Sequence, residues 1–131
     1  MKSVVISAEH GIIFIVDPRN KDAIVPEYED DEIVSATESC ISVAVRPYMD
    51  GDVEVSLSEV APTKGLELVA SHSLLVPNGI IAIATAEIDR VLDQEVSPGS
   101  VRVSVWVDSK SSVTRVSVVV DSSSVASRLV N

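Results

Sequence analysis

A chain of 131 residues with 46% hydrophobic side chains can bury one core, and its 3% aromatic content leaves that core to aliphatic residues. Twenty acidic against ten basic side chains give a formal net charge of −10, which repels the phosphates of nucleic acids and anionic membranes. We therefore expect one β-rich domain over residues 1–131 that binds neither nucleic acid nor membrane.

Two short β-branched runs, residues 2–7 and 11–17, open the chain and are separated by Ala-Glu-His-Gly. This pattern predicts a hairpin whose Gly11 takes a positive φ. The second run has apolar residues on both alternating faces, which is typical of a central, covered strand. Because Glu9 and His10 divide the apolar runs, the segment lacks the unbroken apolar core of a signal peptide.

Residues 18–39 lose this pattern and predict a polar connection, in which Pro18 and Pro26 discourage regular structure. The connection carries an acidic strip, which consists of Glu27, Glu29, Asp30, Asp31 and Glu32 with Tyr28 among them. Three interpretations are open: a surface for a basic protein, a cation site, or a solvated loop. Charged runs in long loops most often serve solubility, whereas an aromatic side chain among carboxylates can anchor an interface that the charges steer.

Alternating apolar residues return at 41–45 and 53–57, on either side of the turn Arg-Pro-Tyr-Met-Asp-Gly-Asp. Asp-Gly between two alternating runs predicts a hairpin. The carboxylates of Asp50 and Asp52, together with those of the acidic strip, offer oxygen ligands for calcium, but the EF-hand pattern is absent. Since Asp-Gly-Asp is also an ordinary hairpin turn, no metal site is predicted.

Residues 66–70 and 73–76 have the composition of strands. After the turn Pro-Asn-Gly, the run 79–85 has apolar residues on both faces, which predicts another interior strand. The segment 87–94 has apolar residues at i, i+3 and i+4, the spacing of a short helix or turn.

Residues 101–108 alternate at strict period two, and their four valines, Val101, Val103, Val105 and Val107, are expected in the core. Arg102 and Ser104 should then face outward, as should Trp106, which either a second layer covers or a partner contacts. A turn at Ser-Lys-Ser-Ser predicts a hairpin onto the residues before 121. The tail 121–131 is expected to fray.

About eight short strands, frequent turns and no repeated strand–helix pattern predict an all-β fold: an antiparallel β-sandwich or flattened barrel with at most one short helix. Open sheets have unpaired edges, and few lysines guard these strands. We therefore expect self-association, as a homodimer, or partner binding through a strand edge.

Catalysis has little support in the sequence, which contains two histidines and neither a Gly-x-Ser-x-Gly nor a His-Glu-x-x-His motif. Ser71 and Ser73 flank His72, but neighbours in a strand point to opposite faces, so His72 is poorly placed to activate either serine. We expect no enzymatic activity and no cofactor. The single cysteine, Cys40, excludes an internal disulfide and favours a cytoplasmic location, with Cys40 itself a small buried hydrophobe.

Residues 73–108 contain, in order, a strand ending in Val-Pro, an Asn-Gly turn into an apolar strand, a Pro-Gly turn, and an alternating strand with a tryptophan. This layout resembles small bacterial β-sandwich proteins of the competence protein J type, whose best-known members inhibit a DNA-entry nuclease. The chain departs from them at residues 100–102, where an aromatic residue commonly follows the Pro-Gly turn. The resemblance implies a β-sandwich and inhibition of a nuclease, in which carboxylates can occupy a basic groove in place of phosphates.

We therefore predict a non-enzymatic, acidic protein-binding module whose partner is a basic protein. The residues expected at the interface are Glu27, Tyr28, Glu29, Asp30, Asp31, Glu32 and Trp106. The alternative is a small ligand-binding barrel or hydrolase. A binding module should have no enclosed polar pocket, whereas a barrel should gather His72 or several carboxylates in one cavity.

Overall fold

The computed structural model describes residues 2–27, 32–62, 64–88 and 90–121, which form ten β-strands. In chain order these are β1 (Lys2–Ile6), β2 (Ile12–Val16), β3 (Val34–Ala36), β4 (Cys40–Ala44), β5 (Val53–Ser58), β6 (Glu67–Val76), β7 (Ile80–Ala84), β8 (Leu92–Glu95), β9 (Gly99–Val107) and β10 (Arg115–Val120). The helical element of the described residues is a 3-10 turn, Tyr48–Asp50, so no described helix could cross a membrane.

The strands form two five-stranded sheets that share one core. The first sheet has the strand order β1-β5-β10-β9-β6, and the second has the order β3-β4-β2-β7-β8. Described pairs are antiparallel except β5 with β10, which run parallel. The predicted all-β sandwich is therefore confirmed, with ten strands instead of about eight, and the described strands do not close into a barrel.

The core between the sheets is aliphatic, as the low aromatic content predicts. Its fully buried side chains include Ile13, Ile15, Ile41, Val43, Val55, Leu57, Leu74, Ile81, Ile83 and Val103. The predicted alternation in β9 is confirmed, because its four valines are at most 1% exposed whereas Arg102 is exposed. Burying one such side chain contributes about 1.5–3 kcal/mol, so a one-residue slip of this strand would be strongly disfavoured.

The two runs with apolar residues on both faces are interior strands, as predicted. β2 is the third strand of the second sheet, and β7 is the fourth. On the outer face of this sheet Ala84 and Ala82 of β7 lie opposite Phe14 and Val16 of β2. Both alanines are buried, while the larger β2 side chains are half-buried beside them.

Two predicted hairpins are wrong because the chain changes sheet at their turns. β1 pairs with β5 in the first sheet, whereas β2 pairs with β4 and β7 in the second. β4 and β5, on either side of the Asp-Gly-Asp turn, likewise belong to different sheets. Alternation of apolar residues identifies the buried face of a strand. Because both sheets bury one face against the same core, alternation does not identify the sheet to which the strand belongs.

Two connections also differ from expectation. The segment 87–94 is not helical where it is described, because Leu92–Glu95 forms β8 and pairs with the open edge of β7. A short apolar pattern fits a helix and a strand equally well, and the pairing edge decides between them. The predicted connection 18–39 contains β3 near its end. The predicted hairpin of β9 and β10 is confirmed.

Candidate protein-binding surface

Two members of the acidic strip, Glu27 and Glu32, lie within the described residues, whereas Tyr28, Glu29, Asp30 and Asp31 lie outside them. Both glutamates are exposed, and both line one shallow groove of about 390 Å³ beside the edge strand β3. The other residues that line this groove are Pro26, Val34, Ser35, Ala36 and Thr37. Neither carboxylate forms a salt bridge or hydrogen bond in the described part of the chain.

The backbone before the acidic strip is fixed at two places. Ile24 N donates a hydrogen bond to Ser39 Oγ at 2.8 Å, and Thr37 Oγ1 donates to Ile24 O at 2.6 Å. The buried carboxylate of Asp17 accepts from Asn78 N, in the turn between β6 and β7, at 2.7 Å. These bonds hold the connection against both sheets and bring Glu27 to the side of β3.

Glu32 lines three clefts. Besides the groove with Glu27, it lines a cleft of about 520 Å³ between the edge strands β3 and β6, with His72 and Lys110. It also lines a cleft of about 580 Å³ at the end of the sandwich, with Arg46 and Lys110. All three clefts are open to solvent, and His72 shares one of them with the Glu32 carboxylate.

The described residues that line the cleft between β3 and β6 include no hydrogen-bonded nucleophile–base pair. His72 lies opposite Val103, on the core side of β6, while Ser71 and Ser73 lie opposite Ser104 and Arg102 on the outer side. Within the described ranges, His72 makes no hydrogen bond to either serine. Ser71 and His72 line the same cleft, but they belong to opposite faces of β6, as the sequence predicts, and this arrangement does not support acyl transfer.

Trp106 lies on the outer face of the first sheet, because Val105 and Val107 on either side of it are fully buried. The indole is half-buried, between the buried Ser117 of β10 and Leu68 of the edge strand β6, which is 50% exposed. Its Nε1–H group is shielded from solvent and has no hydrogen-bond partner in the structure described. One flank of the indole is therefore close to an exposed apolar side chain.

Strand β6 lies between Trp106 and the groove that Glu27 and Glu32 line. Glu32 and Val69 line the same cleft. Leu68, which precedes Val69 in β6, lies opposite Trp106. The sequence did not indicate this contribution of β6, because the strand has an ordinary pattern and its nearness to β3 arises only when the two sheets pack.

Among the described residues, the two carboxylates of the Asp-Gly-Asp turn have no further ligands gathered around them. Asp52 Oδ1 accepts a hydrogen bond from Ser7 Oγ at 2.9 Å, and Asp50 lies in the 3-10 turn beside the end cleft. The group of potential metal ligands in the described residues is a different one, formed by Glu9, His10 and Glu87.

Two side chains away from this surface have shifted pKa values. Burial raises the pKa of the Cys40 thiol to about 11, and the side chain is 1% exposed, so it is the buried hydrophobe that was predicted. At Asp108, burial by itself raises the pKa. Hydrogen bonds from the Thr114 hydroxyl and from the backbone N–H groups of Arg115 and Thr114 outweigh this effect, so the pKa of Asp108 lies below its ordinary value.

No protein-family model matches the chain, and no curated protein matches it in sequence. A solved structure with the same fold is the crystal structure of ComJ from Bacillus subtilis, an inhibitor of the DNA degrading activity of NucA. The TM-score is 0.68 at 13% sequence identity, and the match covers 92% of this chain and 95% of ComJ. The resemblance to the competence protein J type, predicted from residues 73–108, is therefore confirmed for the fold and extends over nearly the whole chain.

Proposed function

We propose that this protein is a non-enzymatic, acidic protein-binding module that inhibits a basic enzyme, such as a nuclease, by occupying its substrate groove. The observation that carries the proposal is the fold shared with ComJ over 92% of the chain, since ComJ inhibits the DNA degrading activity of NucA. At 13% identity the likeness concerns the fold, and the surface of this chain has to supply the binding chemistry.

The charge of the chain suits a basic partner. An enzyme that acts on DNA binds closely spaced phosphates with lysine and arginine side chains, and carboxylates can take the place of those phosphates. Glu27 and Glu32 have no ion-pair partner within the described ranges, so no internal salt bridge has to break before a partner binds. Such exposed charges mainly raise the association rate.

Affinity needs an apolar anchor as well, because exposed ion pairs contribute little to it. Trp106, with the half-exposed Leu68 beside it, offers such an anchor across β6 from Glu32. Tryptophan is enriched among the residues that dominate binding energy at protein interfaces. A partner that reached over β6 would contact both the carboxylates and the indole.

The edge of β6 offers a second way to bind, to a partner strand or to another copy of the chain. Leu75 N donates to Glu38 O at 2.7 Å on this edge, and by the alternation of the ladder the N–H groups of Ser71 and Ser73 point the same way. Sedimentation across micromolar concentrations tests the homodimer. A molecular mass that stays monomeric would exclude it.

Inhibition is tested by the degradation of plasmid DNA by a panel of basic nucleases that includes NucA. We expect inhibition of at least one enzyme, and an association rate that falls as salt rises, because exposed charges are screened within about 10 Å at 0.1 M ionic strength. If none of the enzymes is inhibited at a large excess of this protein, the nuclease proposal is wrong.

The double variant Glu27→Gln/Glu32→Gln tests the role of the groove. It should bind more slowly and with a weaker salt dependence, without a change in melting temperature, since both side chains are exposed. The matched control is Glu54→Gln/Glu95→Gln, which removes two exposed carboxylates elsewhere and gives the same net charge. Equal association rates for the two variants would mean that net charge, and not this groove, attracts the partner.

A further inference from the structure

A second group of side chains converges away from the proposed binding surface. Glu9 and His10 lie in the connection between β1 and β2, and Glu87 lies in the connection between β7 and β8. Each offers one ligand atom, and the three atoms lie within 4.8 Å of one another. We propose that Glu9, His10 and Glu87 form a surface site for a divalent transition-metal ion.

The spacing of the three groups suits a single ion. Ligand atoms that bind one ion at about 2.0–2.2 Å lie about 3–3.5 Å from each other. His10 Nε2 is already 3.1 Å from Glu87 Oε1. The Glu9 carboxylate lies within 4.8 Å of both atoms, so it has to move by at most about 1–2 Å to reach such a spacing, and an exposed glutamate can do so by a change of rotamer.

Both connections are held by hydrogen bonds, so the two halves of the site meet in a defined arrangement. Gly11, with φ of 66°, follows His10, and its carbonyl accepts from Val45 N at 2.8 Å. In the other connection, Thr85 Oγ1 accepts from Glu87 N at 3.3 Å and from Ile88 N at 3.0 Å. Little backbone ordering is then required when an ion binds.

The donor set determines the class of ion. An imidazole nitrogen favours zinc, nickel and other first-row transition metals, whereas calcium and magnesium take oxygen ligands. The two carboxylates balance the charge of a divalent ion. The side chains of His10 and Glu87 are 66% and 40% exposed, so coordination positions stay open for water or for a donor from another molecule.

The ordinary alternative is that His10 and Glu87 form an exposed ion pair and nothing more. Calorimetric titration of untagged, metal-free protein with Zn²⁺ distinguishes a metal site from an ion pair alone. We expect one Zn²⁺ per chain, comparable binding of Ni²⁺, and much weaker binding of Mg²⁺. The absence of saturable Zn²⁺ binding, or equal affinity for Mg²⁺, would overturn the proposal.

Variants locate the ion. His10→Ala and Glu87→Gln should each lower the Zn²⁺ affinity tenfold or more, since even the loss of a residue that only supports a ligand costs about 10–100-fold. His72→Ala is the matched control, because it removes the one other histidine of the chain and should leave the affinity unchanged. Thermal melts check that each variant is folded.

Imidazole NMR gives an independent readout. Zn²⁺ should shift the ring resonances of His10 and leave those of His72 in place. Shifts at His72 alone, or Zn²⁺ binding that survives in His10→Ala and disappears in His72→Ala, would refute the assignment. The site is independent of the proposed inhibitor surface, so Glu27→Gln/Glu32→Gln should bind Zn²⁺ normally whatever its effect on nuclease inhibition.

Discussion

Replacement of Asp108 by alanine should destabilise the protein, because this carboxylate closes the hairpin of β9 and β10. It accepts hydrogen bonds from Thr114 N and Arg115 N, both at 3.0 Å, and from the Thr114 hydroxyl. Its own backbone N–H donates to Arg115 O at 3.2 Å. The side chain therefore satisfies donors on the opposite strand where the regular ladder ends.

The expected loss of stability is about 2 kcal/mol, since a hydrogen bond to a charged group contributes about 1.5–3 kcal/mol and several at one side chain are not additive. Asp108 is half-buried, so water satisfies some of the abandoned donors. In a domain of this size, a change of 1 kcal/mol moves the melting temperature by about 3–5 °C. Thermal unfolding at pH 7 should therefore occur about 6–10 °C lower.

The effect should also depend on pH. The folded-state pKa of Asp108 is lowered, so its ionised form stabilises the fold above the unfolded-state pKa of about 3.9, and this stabilisation is lost as the pH falls through the folded-state pKa. The difference in stability between the wild type and Asp108→Asn should be constant near neutral pH and should shrink below about pH 4.

The control is Asp22→Asn, which removes an equal charge from an exposed aspartate whose carboxylate has no hydrogen bond in the described structure. It should change the free energy of unfolding by less than about 0.5 kcal/mol. If Asp108→Ala were no less stable than this control, the carboxylate would not hold the hairpin together and the reasoning would fail.

Three further predictions concern the interior and its turns. Cys40 should resist a thiol reagent at pH 8 in the folded protein and react fully in denaturant, because it is buried and its pKa is about 11; rapid labelling of the native state would contradict this. Gly79→Ala should lower the melting temperature more than Gly65→Ala, although their φ angles are 68° and 77°, because the new Cβ would lie 2.9 Å from Val96 O in the first case and 3.4 Å from an arginine side chain in the second. Equal melting temperatures would remove that steric argument. Leu74→Ala should cost about 2–5 kcal/mol in chemical denaturation, since the side chain is fully buried, and a loss below about 1 kcal/mol would mean that the core closes around it.

The sequence predicts which face of a strand is buried better than it predicts which strand is its neighbour. Burial of the four valines of β9 follows from period-two alternation, which is a local property. Pairing is a long-range property: β1 joins β5, and β10 lies parallel to β5, across connections that pass between the sheets. No turn signature in the chain distinguishes a hairpin from a change of sheet.

The candidate sites were less predictable than the fold. The acidic strip is visible in the sequence, but the position of Glu32 among three clefts depends on how the edges of β3 and β6 approach each other. The group around His10 was not predicted at all, because Glu87 comes from a distant connection. Metal motifs within one helix have a recognisable spacing, whereas ligands assembled from two loops have none.

The fold and the surface chemistry of this protein are carried by separate sets of residues. Its core needs only aliphatic side chains of suitable size in alternation, a requirement that many sequences satisfy, and the shared fold with ComJ at 13% identity is an expected consequence. Within the described ranges, the exposed carboxylates of Glu27 and Glu32 make no hydrogen bond or ion pair. Substitutions at such exposed positions change the surface with little effect on stability, and it is in the connections that we expect proteins of this fold to differ.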